Sequence, residues 1–132
     1  MDTERIDFAE AFKSRTKKFV VDNIKFFRTL PKTEEAKIIG RQLLRSSSSV
    51  GANYRAACRA RYKAEFHSKL STVVKEADES VFWMEVLVEA EVVQKENLIH
   101  LTDEANQILK IAAASRKQFL VNEEELNKSI IQ

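Results

Sequence analysis

Turn-forming residues are almost missing from this chain. Two Gly and one Pro among 132 residues leave too few breakers for the many tight turns of a sheet-rich fold, and so point to helices. A lone cysteine, Cys58, excludes an intrachain disulfide and any paired-Cys zinc site. No apolar run approaches the roughly 18 residues that would span a bilayer, and the charged opening from Met1 to Glu10 does not have the pattern of a signal peptide. There is no Gly-rich phosphate loop, no HExxH pair and no Glu-x-x-His pairing of the kind that holds two metals in a bundle; His67 and His100 read as surface residues. We therefore expect no catalytic constellation, no metal, no other cofactor and no membrane segment, hence a non-enzymatic cytoplasmic protein.

Acid is missing too, over one long stretch. Between Glu35 and Glu65 the only charged side chains are Lys37, Arg41, Arg45, Arg55, Arg59, Arg61 and Lys63. From Glu76 to Glu96 the sign reverses, with Glu76, Asp78, Glu79, Glu85, Glu89, Glu91 and Glu96 against Lys95. A formal net charge of +2 thus conceals one cationic and one anionic segment, suited to pairing with each other or to offering the cations to a polyanion. Hydrophobic content of 44% and charged content of 32% fit a packed core and exclude disorder, and the length allows one domain over residues 1–132.

What is present is helical periodicity. Asp7 with Glu10 three residues on is a candidate cap, and Phe8, Phe12, Phe19, Ile24 and Phe27 follow at helical spacing, so the first helix is expected over 8–29. Pro31 disfavours helix at Leu30, and Thr33 before Glu34 and Glu35 supplies the next cap, for a helix over 34–59. The serine run Ser46 to Ser49 could be a linker. However, Ile39, Leu43, Ser46, Val50, Asn53 and Ala57 keep the three-and-four step through it, and the helix reading follows. Small residues there, Gly40, Ser46, Ser47 and Gly51 among them, make a thin helix that a neighbour can approach closely. A turn at Ala60 to Tyr62 separates it from a third helix over 63–95, ended near Asn97. A fourth over 103–120 would be capped by Thr102 or Asp103, with a mobile or briefly helical tail from Asn122. Four such helices joined by short turns are satisfied by an all-α, antiparallel up-down-up-down four-helix bundle.

The candidate binding residues are Arg41, Arg45, Arg55, Arg59, Arg61 and Lys63. Guanidinium groups can hold phosphate through two parallel hydrogen bonds, giving salt-dependent, weakly sequence-specific contacts with RNA or DNA. The competing reading pairs Arg45 and Arg55 with Glu76, Asp78, Glu79 or Glu85 across helices or subunits. Phe82, Trp83 and Val86 fall outside the third helix's main apolar face, which is the pattern of an interface with another copy. Asn53 falls on the second helix's apolar face, where its amide should bond to a neighbouring helix and set register. Cys58, with no paired His, reads as a small buried residue.

One arrangement is familiar. Gln42-Leu43-Leu44-Arg45 leads to Ser48-Ser49-Val50-Gly51-Ala52-Asn53-Tyr54, then come Lys63-Ala64-Glu65-Phe66, Glu76-Ala77-Asp78-Glu79-Ser80 and Trp83. From about Phe19 to Lys117 the chain resembles the bacterial four-helix-bundle family of 23S ribosomal RNA intervening-sequence proteins. The resemblance implies a ring of identical subunits, commonly a homopentamer. It also implies kinship with the accessory variability proteins of diversity-generating retroelements, which bind nucleic acid and a reverse transcriptase. Implied partners are therefore further copies of the chain, RNA or DNA, and a reverse transcriptase or other nucleic-acid enzyme. Where many members carry an acid and Gly soon after the Asn, this chain has Tyr54-Arg55-Ala56-Ala57, which makes the segment more basic.

Overall fold

The structure, a computed structural model, describes residues 3–131. Four helices follow one another: α1 Thr3–Phe27, α2 Glu34–Cys58, α3 Lys63–Glu89 and α4 Lys95–Ile131. Among the described residues there is no strand. The cap at Thr33 forms as its sequence suggests, the Ala36 N–H donating to Thr33 Oγ1 at 3.4 Å. Helix α2 then runs unbroken through Ser46–Ser49. The buried Ser46 and Ser47 hydroxyls donate to the carbonyls of Leu43 and Leu44, and Ser48 donates to that of Arg45, so polar side chains enter the helix without leaving donors unpaired.

Consecutive helices are antiparallel, and named contacts fix each register. Phe12 meets Tyr54 edge to face at 4.6 Å between ring centroids, while a side chain built at Gly51 would lie 2.6 Å from Val20 and 3.2 Å from the Thr16 carbonyl oxygen. Gly51 therefore lets the α1 backbone settle onto α2. The buried Ser46 and Ser80 hydroxyls bond at 2.9 Å between α2 and α3. Phe66 packs on Phe119, and the Thr102 hydroxyl reaches Met84 Sδ at 3.6 Å, between α3 and α4. One core results, built from Phe19, Leu43, Val50, Leu70, Val73, Met84, Leu87, Leu98 and Ile108. Of the helix pairs in contact, α1 and α4 touch least. Arg15 of α1 clasps them together, donating to both Glu104 oxygens at 2.8 and 2.7 Å and to Gln107 at 2.6 Å.

Several boundaries differ from expectation. Helix α1 begins at Thr3, so Asp7 is an exposed helical residue and not a cap, and the helix ends at Phe27, two residues before Thr29. Helix α2 ends at Cys58, with Arg59 as its C-cap. Helix α3 stops at Glu89, not Lys95, because Glu91 takes a left-handed backbone with φ 59°. Around it the Glu91 N–H donates to Val88 O and the Val92 N–H to Leu87 O, the paired bonds of a Schellman stop, made here without glycine. Helix α4 accordingly starts at Lys95, placing Asn97, Thr102 and Asp103 inside it. It continues to Ile131, so the tail from Asn122 extends the same helix.

Candidate functional site

The antiparallel register of α1 and α2 creates a basic hollow, a groove of about 500 Å³. Arg55 in the last turn of α2 and Arg59 at its C-cap form one bank, and Lys13 and Lys17, one turn apart on α1, form the other. Its floor is small and apolar: Gly51 and Ala52 of α2, Val20 and Val21 of α1. The close approach of the two backbones at Gly51 makes it a trough and not a hole. Lys13 is partly neutralised by Glu10 at 2.9 Å. Lys17, Arg55 and Arg59 have no ion-pair partner among the described residues. A second hollow, of about 770 Å³ where the α1–α2 and α3–α4 connections meet, is lined by a single charged side chain, Lys25.

The six cations expected from sequence do not form one patch. Arg41 shares the exposed edge of α2 with Arg55 and Arg59 but stands four turns away, with Ser48 and Ala52 between. Arg45 is turned toward α3, where Nη1 donates to Glu76 at 2.9 Å and Nη2 pairs with Glu79. Glu76 keeps only 8% of its side chain exposed, so this pair ties down a carboxylate that would otherwise be buried alone. Arg61 is exposed in the turn after α2, its backbone N–H donating to Glu65 at 3.3 Å. Lys63 opens α3 and pairs with Glu123 of α4 at 3.1 Å. Sequence reasoning missed Lys13 and Lys17. Their four-residue spacing beside the buried Thr16 was visible, but only the register at Gly51 shows which helix they face.

Two polar expectations are corrected. Asn53 is half-buried and folds back on its own helix, donating to the Ser49 carbonyl and hydroxyl at 2.9 Å each. Tyr54, four residues after Val50, takes the buried position instead. The core asparagine is Asn23 of α1, whose Nδ2 donates to Phe19 O at 2.8 Å while Oδ1 has no partner. Cys58 is exposed, one residue past the buried Ala57 in the last turn. Local burial beside Tyr54 pushes its thiol up, which disfavours the thiolate a nucleophile needs, and burial also pushes the Tyr54 phenol well above the ordinary tyrosine range. Among the described residues no cluster of three His, Cys, Asp or Glu side chains could hold a metal ion. No described helix is long and apolar enough to cross a membrane.

The apolar residues outside the α3 core face are graded in exposure. Phe82 is 53% exposed and packs edge to face on Trp83 at 4.8 Å. Trp83 and Val86 are half-buried, and the Trp83 indole N–H donates to Glu79 at 3.1 Å, beside Arg45.

Among protein families, the model described as 23S rRNA-intervening sequence protein matches residues 11–114. A crystal structure of a protein of unknown function from the S23 ribosomal protein family of Bacteroides thetaiotaomicron superimposes with a TM-score of 0.77 at 28% sequence identity, covering 83% of this chain and 97% of that one. No curated protein matches the chain.

Proposed function

Because the chain belongs to the 23S rRNA-intervening sequence protein family, we propose that it is a non-enzymatic, cytoplasmic bundle. In this reading it assembles into a ring of identical copies, a pentamer as the family resemblance implies, and binds nucleic acid through the basic edge of α2 and the turn that follows. The same surface would serve an accessory role to a nucleic-acid enzyme such as a reverse transcriptase. The observation that carries the reading is the lack of internal ion pairs: the guanidinium groups of Arg41, Arg55, Arg59 and Arg61 pair with no acid among the described residues, whereas that of Arg45 does. Cations left unneutralised by their own fold are available to release counterions from a polyanion, and a ring would multiply weak contacts through avidity. Phe82, with Trp83 and Val86 behind it, is the surface proposed for contact between copies.

A second reading is favoured by Arg45, whose pairing with Glu76 and Glu79 uses a cation for structure. Extended to the remaining arginines and to acids of neighbouring copies, it describes an interaction scaffold with no affinity for nucleic acid. One experiment separates the two. Replacing Arg59, Arg61 and Lys63 together with Glu should abolish a mobility shift with RNA and leave the light-scattering mass unchanged. Unchanged binding rejects the surface, and loss of the assembly with no RNA binding by the parent protein favours the scaffold.

A further inference from the structure

The trough between α1 and α2 has chemistry on both banks and on its floor, and we infer that it is a seat for single-stranded nucleic acid, held by the sugar-phosphate backbone with the base or sugar faces against the floor. This inference rests on the nucleic-acid reading above and narrows it. Arg55 and Arg59 on one side and Lys17 on the other point positive charge into a single channel, with Lys13 adding a fourth group already shared with Glu10. Residues one helical turn apart rise by about 6 Å, close to the spacing of successive phosphates along an extended strand. A lone strand can enter the channel and meet both banks and the floor together. A duplex, wider than the gap between two packed helices, can rest across the tops of both banks but cannot reach the floor between them.

The floor sharpens the choice. Gly51, Ala52, Val20 and Val21 present a shallow apolar strip between the cations. A single strand has the matching two-sided character, anionic along its backbone and apolar on its unstacked base faces, while a duplex hides those faces. No aromatic side chain lines the trough, so base stacking on the protein contributes nothing and recognition is by charge and fit, with little sequence preference. Backbone recognition of this kind accepts ribose and deoxyribose strands alike, and arms with each sugar distinguish the two sources.

Fluorescence anisotropy on the full chain tests this with labelled oligo(U), oligo(dT) and a self-complementary RNA hairpin, each of about 12 nucleotides, over a series of salt concentrations. The expected result is single-strand binding at least about tenfold tighter than the hairpin, with log affinity falling against log salt at a slope of about −2 to −3, as three or four phosphate contacts predict. Lys17→Glu should weaken single-strand binding by about tenfold or more, although Lys17 lies outside the acid-free segment. Ala52→Leu is the second variant. It adds no charge and sits at an exposed position, so the fold tolerates it while the trough is filled, and single-strand affinity should drop. Equal binding of hairpin and single strand, together with unchanged affinity in Ala52→Leu, would overturn the trough and leave the broader nucleic-acid reading standing. No binding of any oligonucleotide at low salt would overturn both, and unchanged binding in Lys17→Glu would overturn the α1 bank alone and with it the two-sided seat.

Discussion

At the residue scale, the fate of each charged side chain depends on what its own fold leaves beside it. Arg45 and Arg55 are ten residues apart on one helix and alike in sequence context, yet Arg45 meets two carboxylates and Arg55 meets none. The Arg45 and Glu76 pair is asymmetric: half of the Arg45 side chain reaches solvent, while Glu76 is almost wholly enclosed. Removing the arginine leaves a buried charge without a partner; neutralising the glutamate leaves a cation that still has Glu79 and water. Arg45→Ala is therefore expected to destabilise the protein by about 1–3 kcal/mol and Glu76→Gln by less, about 1 kcal/mol. Urea denaturation of the two variants measures the difference, and an equal or reversed order would show that Glu76 is not held by this pair. Asn23 belongs to the same scale: its unpartnered Oδ1 in the core is a polar group for which the packing gives no compensation.

At the element scale, stops proved harder to read than helices. Helix α2 was legible through its serines because the three-and-four step never lapsed, and Thr33 before two acids marked its start. The stop between α3 and α4 was not legible, since Glu89-Ala90-Glu91-Val92 contains neither Gly nor Pro. The chain turns there by placing Glu91 in a conformation that costs an L-residue about 1–2 kcal/mol, accepted in exchange for two bonds that satisfy the Leu87 and Val88 carbonyls. Glycine relieves that cost at a position where the backbone is already fixed. Glu91→Gly should raise stability by about 0.5–1 kcal/mol and the thermal midpoint by a few degrees. A lower midpoint would mean that the Glu91 side chain contributes more than its backbone strain removes. The site was half legible for a related reason. An acid-free run announces a basic edge in one dimension, but the second bank at Lys13 and Lys17 follows from a register that only Gly51 against Thr16 and Val20 reveals.

At the scale of the whole molecule, the core is complete within one chain. Met84, Leu87, Leu98 and Ile108 are fully enclosed, so assembly is not needed to cover them, and the proposed contact between copies must use surface the protomer does not depend on. Phe82 is such a surface, more than half exposed, whereas its neighbour Trp83 is packed against the core and bonded to Glu79. The two aromatics should respond differently to replacement. Phe82→Asp places a charge where the next copy would sit and removes from the protomer only the edge contact with Trp83, so its folding stability should fall by about 1 kcal/mol while the light-scattering mass falls from that of the assembly to the 15.2 kDa of one chain. Trp83→Ala takes away a half-buried ring and should cost about 2–3 kcal/mol of protomer stability as well as weakening association. If Phe82→Asp left the mass unchanged, the contact between copies would have to lie elsewhere, and the exposed apolar residues at the far end of α4, Leu126, Ile130 and Ile131, would be the next surface to alter by the same logic.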